Sequence, residues 1–385
     1  MAKDAPSRIA ILGAGPIGLE AAVYALKLGH AVSVFEQGTP GEFVNRWGFV
    51  RMFTPFGLNS TKLGKQHILQ QNQHHEFPAD TAIITGREYR DAYLLPLAET
   101  PALKPIIKLQ TTVLGIGRTG WRKSEPTDSR KPLPPFRILV REASGAERYE
   151  AADAILDCTG TYGKPNWVGD GGIPAAGETG SRAHSSYWLE DVRGAKVNHY
   201  AGRSIVLIGS GYSAGTTICE LAALAEDHQS TWIIWLTHGP RTQPLPRVAN
   251  DPFKERDRLA AKANHLAMRC DGNLEYHPQT QIEELLSHGP EKGFRIAARI
   301  AGKAMTWDVE RVIANVGYRP DMSFCSELRI AEPVGEIRTN EPGYFILGAK
   351  CLGRDSQFLL SDGHEQIRQA FAILQGNSRL NLHAA

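Results

Sequence analysis

Cysteine is scarce in this chain: Cys158, Cys219, Cys270, Cys325 and Cys351 are scattered through 385 residues, with no C-x-x-C pair. Such a set excludes a disulfide framework and a dithiol relay and fits a reducing cytoplasm, the expected location. Long apolar runs are also missing. The stretch nearest to a leader, Ile9 to Leu28, is interrupted by Gly13, Gly15, Pro16, Gly18 and Glu20, and no small-residue cleavage site follows it. A membrane span needs about 20 consecutive apolar residues, so no membrane association is expected. Neither charge dominates: 43 Lys and Arg stand against 41 Asp and Glu, a formal net charge of +2, which gives no field to recruit nucleic acid. His74 and His75 precede Glu76, but adjacent residues do not share a helix face as i and i+4 do, so no metal site is expected. The sequence His184-Ser-Ser-Tyr has no acid in triad order, which argues against a hydrolase.

The length suggests two domains, and glycine supplies the landmarks. Arg8-Ile-Ala-Ile-Leu-Gly-Ala-Gly-Pro-Ile-Gly begins as a short β-branched strand and turns through glycine. Helical apolar spacing follows to Leu28, then a strand at Ala31 to Phe35, which together predict a βαβ unit. The same grammar returns at Ser204-Ile-Val-Leu-Ile-Gly-Ser-Gly-Tyr-Ser-Ala, with a helix to about Ala225 and a strand at Thr231 to Leu236. Between the units, Gly120 to Pro135 is basic and proline-rich and is expected to be an exposed loop joining two strands. Phe136 to Glu142 and Tyr149 to Cys158 read as strands, as does Gly343 to Leu347, and a helix is expected from about Gly363 to Leu374.

In the first turn Gly13 permits the bend, Gly15 lets the backbone approach a pyrophosphate, and Gly18 lets helix and strand lie close. Glu36 ends the second strand, where a carboxylate accepts ribose hydroxyls and repels a 2′-phosphate, so this unit should hold the adenosine of FAD or NAD. In the second turn Gly209, Gly211 and Ala214 give G-x-G-x-x-A, with Ser210 and Ser213 as extra donors. Its next strand ends in no acid but runs Leu236-Thr-His-Gly-Pro-Arg241. A guanidinium there suits a 2′-phosphate, so NADPH is expected over NADH, with Arg241 as first contact and His238 or Arg247 in support.

With both cradles in place the chain resembles the two-dinucleotide-binding flavoproteins, and within them the flavin-containing monooxygenase group. The likeness includes Phe53-Thr-Pro-Phe-Gly-Leu-Asn-Ser-Thr-Lys, Tyr89-Arg-Asp-Ala-Tyr-Leu-Leu-Pro-Leu-Ala, Asp157-Cys-Thr-Gly-Thr-Tyr-Gly-Lys-Pro and Asn315-Val-Gly-Tyr-Arg-Pro-Asp. Of the family signature F-x-G-x-x-x-H-x-x-x-[FY], Gly180 and His184 keep their spacing, while Glu178 and Trp188 replace the aromatics. Where relatives carry a flavin-binding Gly-Asp, this chain has Leu347-Gly-Ala-Lys-Cys-Leu-Gly-Arg-Asp, which leaves Asp355 and Asp362 as alternative substitutes.

The resemblance implies an α/β fold of two nested Rossmann-like domains, each with a parallel sheet plus a small antiparallel element. An FAD domain (1–165 and 321–385) would carry an inserted NADPH domain (166–320). It adds Pro16, Ile17, Arg46, Trp47, Thr159, Gly160 and Asp362 to the cofactor contacts and places Asn59 at the reactive edge of the flavin as the catalytic candidate. Trp47, Phe53 and Tyr162 would wall that space, and the helix opening at Ser361 would face the pyrimidine edge of the ring. The activity implied is an NADPH-consuming monooxygenase that passes one atom of O2 to a small N- or S-nucleophile or ketone through a flavin C4a-hydroperoxide. The alternatives are a reductase that inserts no oxygen and, from another class, a scaffold whose nucleotides only stabilise the fold. A small-molecule substrate and O2 are the expected partners, with a homodimer left open.

Overall fold

The computed structural model describes residues 8–125, 133–269 and 272–383. The chain divides into two units, Met1–Lys164 with Arg319–Ala385, and Pro165–Tyr318, so the second interrupts the first in sequence.

The first unit opens with β1 (Arg8–Leu12), α1 (Pro16–Lys27) and β2 (Ala31–Phe35). Ile9, Ile11 and Leu12 are buried, as a strand covered on both sides requires. Pro16 starts α1 because its fixed φ suits the first turn and its missing N–H would have had no helical partner. The small residues Ala21, Ala22 and Ala25 are all buried and let α1 lie close to its neighbours. Short helical turns at Glu42–Arg46 and Phe56–Asn59 lead to α2 (Lys62–Gln71), capped by Thr61, whose Oγ1 accepts the Gly64 amide at 2.8 Å. A Thr85/Glu88 capping box then starts the turn Gly86–Tyr89, which runs into a π-helical turn at Arg90–Leu94 and a last turn at Leu95–Ala98.

β3 (Ile107–Lys108), β4 (Thr112–Arg118), β5 (Phe136–Arg141), β6 (Glu147–Ala152) and β7 (Ala154–Asp157) follow. β4, β5 and β6 form a small antiparallel sheet. The strand expected at Tyr149 to Cys158 is two strands in different sheets, separated at Asp153. The Asp153 carboxylate accepts the Arg8 amide at 3.0 Å and its guanidinium at 3.1 and 2.7 Å, turning the chain from the antiparallel layer into the parallel one. Part of the expected basic loop, 126–132, lies outside the described residues.

In the second unit β8 (Ser204–Ile208), α3 (Tyr212–Asp227), β9 (Trp232–Leu236), α4 (Lys254–Arg269) and β10 (Leu274–His277) build a second parallel sheet. An antiparallel sheet of β11 (Thr280–Ser287), β12 (Phe294–Ile300) and β13 (Lys303–Val309) precedes β14 (Arg311–Ala314), and the parallel order is β10-β9-β8-β14. Ile205, Leu207, Trp235 and Ile313 form its core with Ile218 and Leu221 of α3.

The chain returns to the first unit with β15 (Tyr344–Ile346) and α5 (Leu360–Leu374), completing the parallel order β15-β7-β1-β2-β3. The helix begins three residues before the expected Gly363, because the Asp362 carboxylate accepts the Leu359 amide at 3.0 Å and closes an earlier turn. Among the described residues no helix is long and apolar enough to cross a membrane. The architecture is that of two nested Rossmann-like domains, each with its parallel sheet and a small antiparallel one.

Candidate functional site

Each glycine turn lies at the carboxyl edge of its own parallel sheet, where open α/β sheets place ligands. Gly13 has φ +96°, and a Cβ there would stand 2.9 Å from the Cys158 carbonyl oxygen. Gly18 faces the same turn, and a Cβ on it would run into the Gly13 carbonyl. Gly15 differs, because nothing lies within 4 Å of the point where its side chain would begin. Gly15 is also the N-cap of α1 and offers no side chain to the first-turn amides, while Pro16 and Ile17 form that turn. Backbone closure thus requires Gly13 and Gly18, and Gly15 leaves a bare opening in front of the helix N-terminus.

Glu36 is 7% exposed. Its Oε2 accepts the Ala14 amide at 2.7 Å and its Oε1 the Gly38 amide at 2.8 Å. Burial raises this carboxyl above the ordinary range, opposed by the two amides. The acid therefore holds the turn in shape, and each oxygen keeps a lone pair beyond its single amide.

The second turn repeats this design. Gly209 has φ +133°, and a Cβ there would run into the Asn315 carbonyl, whereas Gly211 again has nothing within 4 Å. Ala214 is buried against the turn; Ser210 is exposed and Ser213 half-buried on the first turn of α3. The Trp235 indole N–H donates to the Gly209 carbonyl at 2.8 Å, and Thr217 donates to Asn315 Oδ1 at 2.6 Å, fixing the turn from behind. Beyond β9, Arg241 is exposed on the loop after the strand, and its carbonyl accepts the Tyr276 hydroxyl at 2.7 Å. His238 is exposed, with Nε2 3.3 Å from Asp170. Arg247, expected in support of Arg241, instead forms a two-pronged pair with Asp257 at 2.8 and 2.7 Å.

The remaining expected residues divide. Trp47 packs over Gly86, where a Cβ would collide with the indole; Arg46 sits 3.7 Å from Glu42. Gly160 has φ +65° and open space around it. Thr159 donates its amide and hydroxyl to Asp157 Oδ1 at 3.2 and 2.7 Å. Asn59 is 1% exposed, with Oδ1 accepting the Thr54 hydroxyl at 2.7 Å and Nδ2 donating to the Thr54 carbonyl at 3.0 Å. Its carboxamide braces the 54–59 turn and reaches no surface. Asp362 likewise has its carboxylate on the cap of its own helix.

Three arrangements escaped sequence reasoning. Lys350, at the place of the missing Gly-Asp, is fully buried against an equally buried Asp157 at 2.6 Å, and also donates to Thr159 Oγ1 at 3.1 Å and the Asp321 carbonyl at 2.8 Å. Tyr344 adds a fourth link, its hydroxyl donating to Asp157 Oδ2 at 2.8 Å. Glu178, which replaces the signature aromatic, is buried and accepts from the Val168 amide, the Ala175 amide and the Tyr187 hydroxyl at 2.9, 2.8 and 2.6 Å. The third is the contact of Glu20 with Tyr93.

The sequence matches no protein-family model and no curated protein. The fold does have solved counterparts. Bacillithiol disulfide reductase Bdr (YpdA) from Bacillus cereus superposes with a TM-score of 0.70 at 18% identity, covering 96% of this chain and 98% of that one. DfoA, a cadaverine monooxygenase from Erwinia amylovora solved with FAD, gives 0.66 at 14% identity over 99% and 98%. The ornithine N-hydroxylase KtzI from Kutzneria sp. 744, solved with reduced FAD and NADP+, gives 0.64 at 13% identity over 97% and 99%. At these identities the likeness is one of fold.

Proposed function

We propose that the chain is an FAD-dependent oxidoreductase that draws its electrons from NADPH and inserts one atom of O2 into a small-molecule substrate. One observation carries the cofactor reading: each of two uncapped helix N-termini faces a glycine, Gly15 or Gly211, whose side-chain position is open. Those openings fit a pyrophosphate, and the residues fit two different nucleotides. Glu36 keeps acceptor capacity for ribose hydroxyls in the first cradle, and exposed Arg241 stands after the strand in the second. Bound FAD supplies two-electron chemistry, taking hydride equivalents from NADPH and handing them to an acceptor. The chain's own residues hold and orient. The amides of Ile17 and Gly18 would meet the FAD phosphates, Glu36 keeps the Ala14–Gly38 turn rigid, and Ser210, Ser213 and Arg241 would hold NADPH.

A second reading, a reductase without oxygen insertion, is favoured by the likeness to a disulfide reductase. Against an internal dithiol among the described cysteines, burial pushes the thiols of Cys219 and Cys351 up to about 11 and that of Cys325 up to about 12, and it also raises Cys158, beside the cradle. Supplying the purified FAD-loaded protein with NADPH and 18O2, with amines, thioethers or ketones present, separates the two readings. Label in the product supports oxygen insertion. NADPH oxidation with all oxygen recovered as peroxide or water, or with electrons delivered to an added disulfide, supports the reductase. No NADPH-driven reduction of bound flavin refutes both.

A further inference from the structure

Glu20 lies on α1, just beyond the cradle glycines, and is fully buried. Tyr93 donates its hydroxyl to Glu20 Oε1, and Thr61 donates its hydroxyl to Oε2 at 2.9 Å. The Thr61 amide in turn donates to the Tyr93 oxygen at 3.1 Å. The result is a closed ring drawn from α1, the start of α2 and the π-helical turn at Arg90–Leu94. Gly64 makes the ring possible, since a Cβ there would run into the Tyr93 hydroxyl and stand 2.9 Å from Glu20 Oε1.

Two costly features meet at this point. π-Helical turns are rare and concentrate at functional sites. A buried acid without a cation carries a desolvation cost that its hydrogen bonds must offset. Their meeting in one ring marks it as a candidate functional element. Just before Thr61 in the chain, the Asn59 carbonyl accepts the Tyr89 hydroxyl at 2.7 Å and the Asn59 side chain holds Thr54. Glu20, Tyr93 and Tyr89 together therefore pin the whole run Thr54–Thr61 against the helix that carries the first cradle, while Leu58 on that run stays 42% exposed.

We propose that Glu20 is a positioning residue that ties the run Thr54–Thr61 to α1, a clasp whose state is passed along that helix to the cradle at its N-terminus. The inference rests on the FAD reading above. Burial pushes the Glu20 carboxyl up to about 7, against the hydrogen bonds from Tyr93 and Thr61. The titratable groups facing it are the phenols of Tyr93 and Tyr89, both held far above neutrality by burial, and no charged side chain among the described residues offsets it. As a carboxylate it satisfies both hydroxyl donors. Once protonated, one carboxyl oxygen becomes a donor itself, so the hydroxyl facing it must turn its own hydrogen elsewhere.

The test follows the visible flavin spectrum and the FAD dissociation constant of the full chain from pH 5.5 to 8.5, for the parent, Glu20→Gln and Tyr93→Phe. The parent is expected to show a one-proton step near neutrality in both readouts. Glu20→Gln should lose the step, and Tyr93→Phe, which removes one donor to the carboxylate, should move it to higher pH. A parent that binds FAD with a pH-independent spectrum and affinity, or a Glu20→Gln protein that keeps the step, overturns the proposal while leaving the FAD reading intact. Should Glu20→Gln fail to fold, an unmoved step in Tyr93→Phe overturns it equally. A parent that binds no FAD overturns both.

Discussion

Replacing Lys350 by Met tests whether the buried Asp157–Lys350 pair holds the first unit together. Both side chains are fully buried, so water cannot replace the lost ammonium at Asp157 Oδ2. Removing one partner of such a pair costs about 3–5 kcal/mol. Asp157 would keep three neutral donors, Tyr344 OH, Thr159 N and Thr159 Oγ1, which places the loss near the lower figure, about 3 kcal/mol. That is a large share of a typical stability of about 5–15 kcal/mol. Asp157→Asn alone should cost as much, since it leaves a buried ammonium with neutral acceptors only and puts an amide NH2 where the carboxylate accepted donors. The double variant, with neither charge, should be more stable than the two single losses added together, by at least about 2 kcal/mol of coupling. Urea unfolding of all four proteins, followed by near-UV and far-UV circular dichroism, measures the cycle. A Lys350→Met protein within about 1 kcal/mol of the parent, or strict additivity in the double variant, would refute the reasoning.

Gly15→Ala meets open space at φ −79°, so it should leave the unfolding midpoint of the apoprotein unchanged while weakening FAD at least about 10-fold by isothermal titration; unchanged affinity removes the cradle from the site. Arg241→Ala should raise the KM for NADPH by about 10- to 100-fold, the worth of a charge-assisted contact, and leave that for NADH nearly as it was; equal effects on both nucleotides would remove Arg241 from the 2′-phosphate. His364 is buried and His383 half-buried beside it, and burial holds their rings down to about 3 and about 4. Unfolded rings bind protons at about 6.5, so the stability they contribute is present above that pH and is lost as pH falls towards 4, by up to about 1.4 kcal/mol per ring and pH unit. His364→Phe should therefore flatten the decline in urea midpoint between pH 6.5 and 5, and an unchanged slope would count against this account.

Local spacing made the two βαβ units legible, because strand, glycine turn and helix are each written in consecutive residues. The break between β6 and β7 was not, since Ala151-Ala-Asp-Ala154 contains no glycine or proline; the Arg8 guanidinium enforces it from 145 positions away. The same distance hid the polar core. Lys350 meets Asp157 across 193 positions and Tyr93 meets Glu20 across 73, and neither lysine nor glutamate at those positions advertises burial. Glu178 looked like a departure from an aromatic signature, yet its carboxylate gathers two amides and a phenol, so polar satisfaction has replaced ring packing. Asn59 shows the converse: a motif position says which turn a residue occupies, and only the surrounding hydrogen bonds say whether its side chain is free.

The Trp235 indole, sealed in the core with its N–H on the Gly209 carbonyl, gives the second turn an optical witness. Indole emission responds to the dipole it bonds, so a ligand that draws on the peptide groups of that turn registers in the tryptophan signal before any electron moves. Binding of a ligand at that turn can thus be followed without flavin reduction or turnover, by comparing the emission of the parent with that of Trp235→Phe.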